Sequence, residues 1–115
     1  MVTWQDQVKR HIPDFDLLKC DEVRRLCLEL TGPNHVDLYL RVAYGNTHVI
    51  SFIFRMVRDI CFPAMPGGLF SLGELAIVDI GNGCWDGIRF RVGDELSGFS
   101  LGCAEIAIQE VDVPS

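Results

Sequence analysis

The chain has 115 residues, 49% of them apolar and 23% charged, with 16 acidic against 10 basic side chains and a formal net charge of -6. This is the composition of an ordinary folded protein rather than a disordered or low-complexity one, and the length fits a single domain, residues 1–115, around one core. A negative charge of this size repels nucleic acid and anionic membrane surfaces, keeps the chain soluble, and suits a basic protein partner.

Apolar runs are interrupted by arginine or aspartate well before the roughly 18 residues a membrane span requires. The opening "MVTWQDQVKRH" lacks the apolar stretch of a secretory signal. A cytoplasmic protein is therefore expected.

The first element predicted is a short helix, with Trp4, Val8 and Ile12 at intervals of four, Thr3 as N-cap and Pro13 as its stop. After Pro13 the apolar period falls to two. In "VRRLCLEL", Leu26, Leu28 and Leu30 share one face and Arg25, Cys27 and Glu29 the other, and "TGPN" ends the strand. "VDLYLRVAY" sets Val36, Leu38, Leu40, Val42 and Tyr44 against a wet face of Asp37, Tyr39, Arg41 and Ala43. Gly45 and Asn46 predict a tight hairpin into "THVISFIFRM", which is apolar on both faces and so reads as a covered, central strand.

"VRDICFP" adds a short strand, closed by the breaker-rich "PAMPGG". "LGELAIVDIG" and "DGIRFRVGD" alternate again, the latter with Ile88, Phe90 and Val92 inward and Arg89 and Arg91 outward; the loop "GNGCWDG" joins the two. "SGFSLGCAEIAIQEVDV" supplies one or two last strands, with Gly98 and Gly102 at a bend or bulge. The expectation is a mainly β fold, a single-domain antiparallel sandwich or partly open barrel of about seven or eight strands with a short N-terminal helix. Nowhere is there room for a crossover helix between parallel strands.

Five cysteines, Cys20, Cys27, Cys61, Cys84 and Cys103, form no C-x-x-C pair and have no histidine at finger spacing, so no metal site is expected. They read as reduced core or semi-buried thiols, with Cys84 the exposed exception. His11, His35 and His48 are scattered, and no nucleophile motif accompanies them. Neither "GNGCWDG" nor "PGGLFSLG" has the spacing of a phosphate-gripping loop, so no cofactor is expected. Asp14 with Asp16, Asp21 with Glu22, and Asp94 with Glu95 are near neighbours. A solvated turn after Gly93 explains Asp94 and Glu95 more readily than a catalytic carboxylate dyad, and Asp14 and Asp16 read as a polar edge on a buried Phe15. In the glycine loop, Trp85 either anchors a partner or folds back over the end of a sheet.

The N-terminal tryptophan segment, "PDFD", the strand ending in "LTGP", "VDLYLRV", "ISFIFRMVRDICFP" and "FSLGCAEIAIQEV" run in an order that resembles small bacterial β-rich immunity proteins of polymorphic toxin systems, from about Trp4 to Val113. The resemblance implies a cytosolic, non-catalytic protein that neutralises a basic toxin or effector domain by covering its active site or displacing its substrate. Contact candidates under this reading are Trp85, Asp86, Asp94 and Glu95 on the loop side, with Asp37 and Tyr39 on the wet face of the second strand. Two alternatives stay open: a small-ligand or metal-binding β-barrel, with or without enzymatic activity, and a structural subunit that forms a homodimer through a sheet edge or face.

Overall fold

A computed structural model describes residues 3–33, 35–62, 72, 74–81, 88–95 and 97–113. The helix α1 spans Trp4–Lys9. Thr3 caps it reciprocally with Asp6: the Asp6 N–H donates to Thr3 Oγ1 at 3.2 Å, and the Thr3 N–H donates to Asp6 Oδ2 at 3.1 Å. The Thr3 backbone donor holds the Asp6 carboxyl below its ordinary range. Ile12 lies past the helix end but is buried with Trp4 and Val8. A 3-10 turn, Leu17–Lys19, interrupts the expected change to period two, and Asp16 caps it by accepting from the Leu18 N–H.

Among the described residues eight strands follow, in two antiparallel four-stranded sheets that do not close into a barrel. The first sheet orders β1 (Cys20–Gly32), β2 (His35–Tyr44), β3 (His48–Arg55) and β8 (Glu105–Asp112) side by side. The second orders β4 (Arg58–Cys61), β7 (Phe99–Cys103), β6 (Phe90–Asp94) and β5 (Leu75–Asp79). The β2–β3 hairpin turns at Gly45, whose φ of +55° lies in the left-handed region glycine adopts without strain.

β3 runs into β4 through Met56 and Val57, and β7 runs into β8 through Ala104. Because β3 pairs with β8 and β4 with β7, these four segments form one two-stranded ribbon that bends from the first sheet into the second. The Ala104 N–H donates to Arg55 O at 3.0 Å across the bend. Met56 and Asp59 there take φ of +55°, a strained value for residues with a side chain.

One core cluster draws on both sheets. Leu38, Leu40, Val42, Ile50, Phe52 and Phe54 of the first meet Leu75, Val92, Phe99, Leu101 and Cys103 of the second, and Trp4 and Val8 seal one end. Phe52 and Phe54 stack at 5.7 Å, and Trp4 stands edge-on to Phe15 and to Phe52 at 6.0 Å each. β3 is central and buried, as its apolar character on both faces required. Ile88 and Val92 point inward while Arg89 and Arg91 are exposed.

Two expectations are corrected, and one shared face is covered unevenly. Leu28 and Leu30 do not reach the core: they are 45% and 79% exposed, because β1 is an edge strand whose contribution to the cluster ends with Val23 and the half-buried Leu26. The face of β2 expected to be wet is only partly so, for Asp37 and Ala43 are buried. Among the thiols, Cys27 and Cys61 are exposed, because both lie on edge strands; Cys84 is outside the described residues.

Gly102 leaves no room for a side chain, since an added Cβ would sit 2.9 Å from Ile88 Cδ1 and 3.1 Å from Cγ2. Gly102→Ala is expected to lower stability by about 1 kcal/mol through overpacking against that buried isoleucine, measured by urea denaturation. Burial pushes the Cys20 and Cys103 thiols up to about 12 from 9.0. The stability gained by keeping them neutral is complete below pH 9 and is lost as pH rises toward 12, because the unfolded chain releases those protons first. Melting temperature is expected to fall over that range, and less steeply in Cys103→Ala.

Candidate docking face

The first sheet turns one face to the core and the other outward. On the outward face the strand register builds three rows across the sheet. The middle row is Cys27–Tyr39–Ile53–Ala107, apolar apart from the tyrosine hydroxyl and the thiol. On one side of it lies Arg25–Arg41–Ser51–Glu110. On the other, Glu29 faces Asp37, Asp37 meets Arg55, and Arg55 faces Glu105.

Arg41 organises the first charged row. Its guanidinium donates to Ser51 Oγ at 2.7 Å, Glu110 Oε1 at 2.8 Å and Asp112 Oδ2 at 2.9 Å. Asp112 most of all, and Glu110 with it, raise the pKa of this arginine above its ordinary value. A bulge in β8 opposite Ser51 and Phe52 brings Gln109 and Glu110 together to the rim. The result is a shallow depression of about 300 Å³ lined by Arg25, Cys27, Glu29, Tyr39, Arg41, Ser51, Gln109 and Glu110.

The candidates named from the sequence fall in separate places. Tyr39 is half-buried and lines the depression. Asp37, on the same strand, is a brace inside the fold: it is 4% exposed, and accepts from the strained Met56 N–H at 3.1 Å and from Arg55 at 3.3 Å. Asp94 belongs to the other sheet and is 2% exposed, where it accepts from Glu74 N at 2.6 Å and Ser97 N at 3.3 Å and so ties the β6–β7 turn to the start of β5. Only Glu95 of that pair is exposed. Trp85 and Asp86 lie outside the described residues.

Sequence reasoning passed over Arg41, Ser51 and Glu110, which meet only because β8 pairs with β3 from 69 positions away along the chain from Arg41. The alternation of "RRLCLEL" did place Arg25, Cys27 and Glu29 on one face.

An apolar row framed by charged ones is the surface pattern of a protein-docking site, with a rigid amphipathic ring in the middle. Around it stand four exposed or half-buried carboxylates, Glu29, Glu105, Glu110 and Asp112, against three guanidinium groups, Arg25, Arg41 and Arg55. Among the described residues no group of three or more histidines, cysteines or carboxylates could hold a metal ion. No helix among them is long and apolar enough to cross a membrane.

Asp37→Ala is expected to lower folding stability by about 2 kcal/mol, since it removes the acceptor of a partly buried N–H and the partner of Arg55. Urea denaturation measures this, and a loss within experimental error would remove Asp37 from its role as brace. Comparison with protein-family models, with curated proteins and with solved structures returns no match for this chain.

Proposed function

We propose that this protein is a non-catalytic, cytosolic binding domain that neutralises a basic toxin or effector domain by stoichiometric capture, in the manner of the bacterial immunity proteins it resembles. The observation that carries the reading is the outward face of the first sheet, where the row through Tyr39 is flanked by charged rows with a surplus of carboxylates. Complementary charge speeds encounter with a basic partner, and the desolvated aromatic centre holds it. The net charge of -6 acts in the same direction over the whole molecule. Free thiols at Cys20, Cys27, Cys61 and Cys103 suit the reducing cytosol.

Affinity purification of the tagged protein from its own host at moderate salt, followed by mass spectrometry, tests this. A basic protein domain recovered in stoichiometric amount is the expected result. With expression of a neighbouring toxin confirmed, recovery of the protein alone at every salt concentration would sink the reading. Tyr39→Ala is expected to weaken capture by about tenfold or more. Its melting temperature should stay close to that of the parent, because the ring stands on the outward face.

A further inference from the structure

The edge strand β1 presents a charge pattern that its own sheet leaves unanswered. Arg25 stands directly opposite Arg41 of β2, and Glu29 directly opposite Asp37. Like charges in facing positions destabilise a strand pair. Arg41 is neutralised by Glu110 and Asp112, and Asp37 by Arg55. Arg25 and Glu29 are exposed and form no ion pair among the described residues.

The other edge of this sheet is covered, for α1 lies against β8 and Gln7 Oε1 accepts from the Ile108 N–H at 3.1 Å. From Val23 to Leu30, β1 has its described backbone partners in β2 alone, and Leu28 and Leu30 are exposed beside that free edge. An open edge of this kind is a template for another strand.

We propose that this edge pairs with β1 of a second copy of the chain, antiparallel, about a two-fold axis at Cys27. That register sets Arg25 opposite Glu29 of the partner subunit and Glu29 opposite the partner's Arg25. On the other face it sets Leu26 against the partner's Leu28. The pairing is self-complementary, as a two-fold interface must be. It uses the stretch Arg25–Leu30, in which the β1–β2 register has no irregularity. It also gives both unanswered charges an opposite partner while leaving the outward faces of the two sheets side by side and open. The inference concerns the protein alone and does not depend on the toxin partner proposed above.

Sedimentation of the purified protein, together with charge reversal, tests it. The parent is expected to dimerise. Arg25→Glu should raise the dimer dissociation constant by about tenfold or more, because two attractive pairs become repulsive. The same change places a carboxylate opposite Arg41 within the chain, so its melting temperature should not fall. The double variant Arg25→Glu/Glu29→Arg should recover the dimer, a rescue that general damage to the fold would not produce. A short bismaleimide should then link Cys27 to Cys27 of the partner subunit in the Cys61→Ser/Cys84→Ser protein and leave that protein unlinked once Cys27→Ser is added. A parent that stays monomeric at the highest concentration it tolerates overturns the proposal. So does a dimer that is indifferent to Arg25→Glu or that lacks the Cys27 link.

Discussion

The fold depends on one bend, where the ribbon of β3–β4 and β7–β8 leaves the first sheet and enters the second. A single ribbon shared by two sheets fixes their relation at that corner, and the core residues of both come together under it. The bend holds Met56 and Asp59 at positive φ, each such residue costing about 1–3 kcal/mol. β2 supplies the restraint. Val36 O accepts from the Val57 N–H at 2.8 Å, and the buried Asp37 carboxylate accepts from the Met56 N–H and from Arg55. A carboxylate in this position is stabilised because each charge it brings inside is met by a donor, which makes Asp37 part of the frame.

Among the described residues the opposite side of the two sheets has no such ribbon. β1 and β5 are both edges, and the described tie between these regions is the Leu72 N–H donating to Asp21 O at 2.8 Å. The strained residues and the Asp37 brace therefore lie at the corner where the ribbon bends, whereas the Asp94 brace and the edges β1 and β5 lie away from it. Docking by the outward face and pairing through the β1 edge would use different parts of the same sheet. A face recruits side chains, an edge recruits backbone, and a partner strand added at β1 widens the face.

Much of the architecture was legible because strand patterning is local. The hairpin at Gly45, the doubly apolar β3 and the inward set around Val92 follow from alternation and turn chemistry that neighbouring residues fix. The helix cap at Thr3 was legible for the same reason. What alternation does not carry is how far each face is covered. Leu28 and Leu30 have the same period as Leu38 and Leu40, yet only the second pair is buried, since coverage depends on which strands lie beside and above.

The outward face of the first sheet divides along the same line. The sequence by itself determined a mainly β, antiparallel domain, sandwich or barrel, with a short capped helix, a net acidic charge, and the grouping of Arg25, Cys27 and Glu29 on one side of β1. Tertiary structure alone decided that β8 returns to lie against β3, and so that Arg41 finds Glu110 and Asp112 across about 70 residues of chain. It also decided that Asp37 and Asp94, polar residues placed at the surface by their pattern, are internal hydrogen-bond acceptors. The reason is physical: hydrophobic period reports which residues share a side of a strand, whereas burial and partnership depend on what another segment, distant in sequence, brings to that side.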